Sequence, residues 1–208
     1  LVGKKNEYIL IWTTTPWTLP GNAAVAINSE IEYTKYKTQD TYHISQNKFE
    51  YIWSANVPPH ELGVEPIAGE KRKGRELIGW KYEPLFRITD DQNSYHIVSA
   101  DFVAMDEGTG LVHIAPAFGE EDFLLGKKEK LPLLDTLDDT GRFNKKYPPL
   151  NFLFGKTAEE GNKLVTQRLK EKELLWKTQR ITHRYPICWR CSTPLIYKVQ
   201  PAWFVRVA

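Results

Sequence analysis

A chain of 208 residues, 41% of them apolar and 12% aromatic, is long enough to bury one sizeable core and belongs to the globular class. No apolar run approaches the roughly 20 residues that span a bilayer, and no signal-peptide pattern opens the sequence, so a cytoplasmic protein is expected. The 28 Lys and Arg nearly cancel the 26 Asp and Glu, and a net charge of +2 excludes a broadly basic nucleic-acid binder.

In chain order, residues 7–15 are rich in β-branched and aromatic types and stop at Pro16, which predicts a buried strand running into a proline-bounded turn. Further strands are predicted at 23–27, 32–37, 42–45, 95–98 and 110–114. The Gly and Pro punctuation between them, as at Val57-Pro58-Pro59 and Glu107-Gly108-Thr109-Gly110, favours a closed or strongly curved sheet over a βαβ array. A short helix is predicted over 119–129, with Glu120, Glu121 and Asp122 beside the positive end of its dipole. A longer one is predicted over 157–174, where Thr157-x-x-Glu160 forms a capping box and Ala158, Gly161, Val165 and Leu169 follow one face. From Trp176 onward the pattern turns extended. Leu1 at the start, Met105 as the only methionine, and an apolar run over 203–208 read as a piece of something larger.

Any nucleic-acid contact has to come from local patches: Lys71-Arg72-Lys73 with Arg75, Lys127-Lys128 with Lys130, and the stretch 180–184, each of which also reads as a solvated surface. Cys188-x-x-Cys191 has the spacing of a metal half-site or a redox pair and does not make a secreted disulfide framework.

Two segments concentrate polar chemistry. Trp12-Thr13-Thr14-Thr15-Pro16-Trp17-Thr18-Leu19-Pro20-Gly21-Asn22 sets four hydroxyls and an amide within ten positions at a strand end. Hydroxyls both donate and accept, so they orient a water or an ester oxygen without bringing charge into a site. The same composition also suits an ordinary threonine-rich strand. In the second segment, 108–122, a reversal over 115–119 brings His113 and Asp122 towards one cavity, where a carboxylate anchors an ammonium by a charge-assisted hydrogen bond. A helix-cap acid and a satisfied half-buried histidine fit the same residues. His113 has no Ser or Cys partner in view, and no H-E-x-x-H motif is present.

The run Trp12 to Pro20 resembles the threonine-rich signature of the editing domain of isoleucyl-tRNA synthetases, and the segment 108–122 resembles that domain's second signature. The tail 183–197, with Trp203-Phe204-Val205, is similar to the stretch that re-enters the synthetase body. Valyl and leucyl relatives typically carry Thr-Thr-Arg-Pro followed by an acid at the first motif, and Thr15-Pro16-Trp17 departs from that pattern towards the isoleucyl member. The resemblance implies a mixed α and β fold, a β-barrel core with flanking helices, with residues 1–180 as the editing domain and 181–208 as an extended segment returning towards a class I catalytic domain. It implies hydrolysis of valyl-tRNA(Ile), with the acceptor end of tRNA(Ile) and the rest of the synthetase in cis as partners and the piece itself monomeric.

Residue by residue, the resemblance implies that Asp122 holds the α-ammonium of the misattached amino acid and that His113 closes the side-chain pocket against isoleucine. Thr13, Thr14, Thr15, Thr18 and Asn22 are implied to lie along the same pocket, with Trp12 adjoining it. Thr14, Thr15, Thr18 and Asp122 are thus the expected catalytic set, and Trp12, Thr13, Asn22, His113 and Asp122 the expected substrate contacts. No cofactor is expected for the reaction. Cys188 and Cys191 are expected to bind no metal by themselves and to form half of a zinc site only in the full-length protein. The His-Ile-Gly-His and Lys-Met-Ser-Lys-Ser signatures of class I synthetases are missing from this sequence, so neither aminoacylation nor ATP use is expected of it. The competing expectations are a non-catalytic tRNA-docking module, the editing domain of the valyl or leucyl relative, and a structural zinc-ribbon connector.

Overall fold

The computed structural model describes residues 1–38, 50–55, 64–104, 108–179, 182 and 185–207. Strands β1 (Glu7–Ile9), β2 (Ala24–Ile27), β3 (Glu32–Thr38), β4 (Tyr51–Ser54), β5 (Val64–Lys73), β6 (His96–Ser99) and β7 (Val112–Ile114) are joined by helices α1 (Glu120–Glu129) and α2 (Ala158–Glu171) and by 3-10 helices at Pro16–Gly21, Gly74–Glu76 and Pro148–Leu153. The strands form two sheets, one ordered β1-β4-β3-β5 and the other β6-β2-β7. β2 runs parallel to β6 and antiparallel to β7.

Alternation along β2 sets the layers. Val25 and Ile27 turn towards the first sheet and meet Tyr33, Trp53, Ile97 and Leu111, whereas Ala24 and Ala26 turn the other way and pack with Ile114, Leu125, Leu131 and Leu134 beneath α1. A strand covered on both faces has no solvated side, which is why Ala-Val-Ala-Ile is uninterrupted by polar residues. A third cluster, Trp17, Leu19, Phe118, Phe143, Leu150, Leu153, Val165 and Leu169, fastens the 3-10 helix Pro16–Gly21 to α2.

The expected barrel is not what forms: among the described residues the two sheets are open. Closure needs a continuous ladder and strands long enough to tilt and stagger. The second sheet's strands are only three or four residues long. At the corner where the sheets approach, Ala55 N–H and the Ser54 hydroxyl both donate to Thr109 O, at 2.9 and 3.0 Å, and no ladder follows. The strand expected over 7–15 also ends early, at Ile9. Leu10 N–H still reaches Trp53 O, at 3.3 Å. Beyond it, Thr15 N–H turns inward to Thr13 Oγ1 at 3.1 Å, a local bond that competes with strand pairing. The expected strand 42–45, the turn at 57–59 and most of the basic stretch 180–184 lie outside the described residues.

Both predicted helices are present. α1 starts after Gly119 and stops where Lys130 takes a left-handed conformation, φ 56°. α2 has its capping box in place, with Glu160 N–H donating to Thr157 Oγ1 at 3.2 Å and Thr157 N–H to Glu160 Oε2 at 2.9 Å. Its buried residues are Ala158, Gly161, Val165 and Leu169, the face read from the sequence. Gly161 is there for contact: a Cβ would lie 2.5 Å from the Phe143 ring. Past α2 the chain has no strand among the described residues. It returns to the body where Val199 N–H meets Ala117 O at 2.9 Å and Lys198 pairs with Asp135 at 2.8 Å.

Because α2 holds the 3-10 helix through its capped first turns, removing the cap should register globally. Thr157→Ala is expected to cost about 1 kcal/mol, which for a chain of this size lowers Tm by roughly 2–4 °C. Thermal unfolding followed by circular dichroism measures this, and an unchanged Tm would show that the cap contributes nothing to the packed fold.

Candidate functional site

The 3-10 helix Pro16–Gly21 is bounded by its prolines: Pro16 occupies its first position, where a missing N–H costs nothing, and Pro20 lies inside it one residue before its end, with Asn22 as the cap. Trp17 anchors it, buried edge-on against Phe118 with ring centroids 5.0 Å apart. Trp17 N–H, an orphan donor of the first turn, is taken by Asn162 Oδ1 of α2 at 3.0 Å. Thr18 is thereby fixed, and both its N–H and its hydroxyl donate to Thr15 O, at 3.0 and 2.9 Å.

His113 comes from β7, opposite Val25 of β2, and is buried. Its Nδ1 lies 2.8 Å from Asn22 Nδ2 and its Nε2 lies 3.2 Å from Thr18 Oγ1. The amide nitrogen only donates, so Nδ1 accepts and the ring proton sits on Nε2. The amide orientation is fixed from both sides, since Nδ2 also donates to Ala24 O at 2.8 Å and Oδ1 accepts from the Tyr82 hydroxyl at 2.6 Å. Burial holds the His113 pKa down at about 4 against an ordinary 6.5, with contact to Thr18 opposing the shift, so the imidazole is neutral at neutral pH.

Asp122 stands in the first turn of α1. One carboxylate oxygen, Oδ2, accepts from Ala115 N–H at 2.7 Å and closes the turn that Phe118 N–H makes with Ala115 O. The other, Oδ1, has no hydrogen bond among the described residues. Burial raises the Asp122 pKa, the Ala115 bond opposes the shift, and the neighbouring Glu121 charge adds to it. An ammonium bound at Oδ1 would reverse that shift, because an opposite charge favours the ionised form.

These groups converge on a cavity of about 440 Å³ lined by Trp12, Thr13, Thr14, Thr15, Thr18, His113 and Asp122, with Phe102, Thr109 and Phe118 completing the wall. Trp12 roofs Gly108, whose φ of +67° suits glycine and whose added Cβ would lie 3.4 Å from the indole. The structure thus brings together every residue expected at the site except Asn22. That residue lies behind His113, where it faces a larger cavity of about 800 Å³ that shares only Trp12, Thr13 and Thr14 with the first. Tyr82, which holds Asn22, went unseen in the sequence. It belongs to neither motif, and only the tertiary fold brings it under Asn22.

The other sequence candidates lie elsewhere. Lys71 pairs with Glu32 at 2.8 Å and Arg72 with Glu76 at 3.5 Å, while Lys73 Nζ donates to Glu30 O at 3.0 Å, so two of that patch's four cations are ion-paired. Cys188 and Cys191 sit on a small hairpin closed by Cys188 N–H to Thr193 O at 2.8 Å and by the bridge Ile187↔Pro194, with Ser192 left-handed at its tip. Both thiols are free, and among the described residues no cluster of three metal-ligating side chains occurs. Two thiols fall short of the four ligands of a tetrahedral zinc site. No helix among the described residues is long and apolar enough to cross a membrane.

No protein-family model matches the chain. Curated isoleucine–tRNA ligases do: that of Clostridium novyi is 40% identical over 206 residues and that of Pyrococcus horikoshii 42% identical over 220, each alignment covering 99% of this chain. The chain is homologous to one region of isoleucyl-tRNA synthetases. It spans about a fifth of the length of those ligases, 19% and 20%. In fold it resembles the crystal structure of GlLeuRS-CP1, with a TM-score of 0.56 at 14% identity over 84% of this chain and 85% of that one. The Plasmodium knowlesi cytosolic leucyl-tRNA synthetase editing domain gives 0.55 at 14% identity over 79% and 81%. The isoleucyl-type region therefore carries the mixed α and β architecture of a synthetase editing domain, in a form with open sheets.

The neutral His113 implies a pH dependence of stability. Its folded pKa lies below its unfolded one, so its contribution is complete above about pH 6.5 and is lost as pH falls towards 4, where the unfolded chain binds the proton first. At 1.36 kcal/mol per unit the loss is about 3 kcal/mol. Urea unfolding at pH 7 and pH 4 should show this difference in the native chain, and His113→Gln should remove it; an equal pH dependence in both chains would contradict the buried neutral imidazole.

Proposed function

We propose that this cavity hydrolyses the ester of valyl-tRNA(Ile), releasing valine and free tRNA, as the proofreading site of an isoleucyl-tRNA synthetase in the cytoplasm. The observation that carries the reading is the convergence on a single cavity of a carboxylate with one oxygen that has no hydrogen bond among the described residues, a neutral imidazole and the threonines at 13, 14, 15 and 18.

An aminoacyl ester is already activated. Its hydrolysis needs a placed water, stabilisation of the developing oxyanion and a firm hold on the ammonium rather than a strong base or a metal. Asp122 Oδ1 takes the ammonium, Thr15 and Thr18 with Thr14 place the water, and a free ribose hydroxyl of the terminal adenosine assists proton transfer. Trp12 and Thr13 line the approach. His113 forms the wall met by the side chain. A pocket that must accept isoleucine rejects valine by only about 1–3 kcal/mol, a limit for which isoleucyl-tRNA synthetases are themselves the standard illustration. A second pocket reverses the test, since overlap with a fixed wall costs more than an unfilled gap gains. The partners are the acceptor end of tRNA(Ile) and the remainder of the synthetase in cis, with 181–208 leading back to it.

A non-catalytic tRNA-docking module has no use for the oxygen of Asp122 that has no hydrogen bond among the described residues. Single-turnover deacylation of valyl-tRNA(Ile) and isoleucyl-tRNA(Ile) by the chain tests the assignment. Asp122→Ala is expected to slow valyl-tRNA hydrolysis at subsaturating substrate by about tenfold or more, equivalent to the roughly 1.5–3 kcal/mol of a charge-assisted hydrogen bond. His113→Ala is expected to let isoleucyl-tRNA(Ile) be cleaved. Normal valyl-tRNA hydrolysis by the first variant, or unchanged discrimination by the second, would contradict the corresponding role.

The Cys188–Cys191 hairpin is proposed to gain its remaining zinc ligands only in the longer protein. Elemental analysis of the purified chain should find well under one zinc per monomer, and a full equivalent would overturn the half-site.

A further inference from the structure

We infer that Tyr82 is a positioning residue for the hydrolytic water, acting through a one-way hydrogen-bond relay from Tyr82 through Asn22 and His113 to Thr18. This rests on the proposed hydrolysis for its purpose, and on geometry alone for its existence. Each link has only one direction open to it. The Tyr82 hydroxyl is buried, its proton made harder to remove by that burial, and it donates to Asn22 Oδ1 at 2.6 Å. That bond and the Ala24 carbonyl together hold the amide, with Nδ2 towards Ala24 O and His113 Nδ1, each at 2.8 Å. An occupied Nδ1 leaves the ring proton on Nε2, aimed at Thr18 Oγ1, 3.2 Å away. Thr18 spends its own proton on Thr15 O, at 2.9 Å.

The last link decides what the cavity meets. A threonine hydroxyl has one proton and two lone pairs. Here the proton and one lone pair are committed inside the protein, so Thr18 offers the cavity a single lone pair and acts only as an acceptor. A water that donates to it keeps its own lone pairs for the ester carbonyl. Thr18 in this state cannot donate to an oxyanion, which separates water placement from oxyanion stabilisation within the site. The direction is set from the side of the larger cavity, which Tyr82 and Asn22 line while His113 and Thr18 line the smaller one.

Tyr82→Phe keeps the ring that packs edge-on to Tyr95, centroids 6.2 Å apart, and deletes only the donor. Long-range proton–nitrogen correlation spectra of the 15N-labelled chain at pH 7 should show His113 as the Nε2–H tautomer, and a dominant Nδ1–H form would overturn the relay whatever the chain hydrolyses. Tyr82→Phe removes one of the two holds on the amide and leaves Ala24 O as the other, so it should admit a minor Nδ1–H form beside Nε2–H and slow single-turnover valyl-tRNA hydrolysis about tenfold at saturating chain, with the half-saturating concentration within about twofold of the parent. A spectrum and a rate both unchanged would overturn the role of Tyr82. Should that variant fail to fold, Asn22→Asp, which puts an acceptor opposite Nδ1, should move the ring proton to Nδ1, and persistence of Nε2–H would overturn the relay. An inert parent chain that shows the expected tautomer would contradict the proposed reaction and leave the hydrogen-bond geometry standing, so the two failures are distinguishable.

Discussion

Thr18 and Asn22 grip the two ring nitrogens of His113, and through that grip the 3-10 helix at Pro16–Gly21 is locked to strand β7. Nearly everything else at the site depends on it. Without the ring between them the threonine segment and the Gly108–Asp122 segment are left, among the described residues, with the long bond from Asn22 Nδ2 to Ile114 O, at 3.5 Å, behind the cavity wall. The grip is strong because it is dry: a buried amide and a buried imidazole that each find partners avoid a desolvation penalty of about 1–3 kcal/mol per unsatisfied group. Its cost is that the imidazole must stay neutral, which burial enforces.

Around this centre the scaffold supplies rigidity rather than chemistry. β2 is buried on both faces, so β7 and the histidine it carries cannot slip in register without exposing one of two apolar sets. α2 reaches across with Asn162 to hold the backbone of Trp17, and Trp17 fills the space against Phe118. Asp122 has two tasks at once. One oxygen closes the turn onto Ala115 N–H, which fixes the side chain, and the other is left oriented with no hydrogen bond among the described residues. A carboxylate held in this way loses little freedom when it meets an ammonium.

Much of this was legible in the sequence where local chemistry decides. The capping box at Thr157, the apolar face of α2, the acidic first turn of α1 and the two site motifs all depend on neighbours within a few residues. Long-range pairing was less legible. Strands β4 and β5 carry no clean alternation of their own and form because β3 lies between them. The barrel expected from Gly and Pro punctuation gives way to two open sheets, because punctuation marks turns and not whether edges meet. Within the site, the hydroxyls and the carboxylate could be read from composition, but Asn22 belongs behind the wall and not on it, and Tyr82 is brought there from a segment without any motif. A hydrogen bond between residues sixty positions apart leaves no mark on either one's neighbours.

The central claim is that one cavity holds the ammonium at Asp122 while His113 limits the side chain. A crystal structure of the chain with a non-hydrolysable adenosine analogue bearing valine tests both together. The account predicts the valyl ammonium within hydrogen-bond reach of Asp122 Oδ1, the valine side chain against the His113 ring, and a water donating to Thr18 Oγ1. An analogue bound in the larger cavity, or bound with its ammonium away from Asp122, would contradict it.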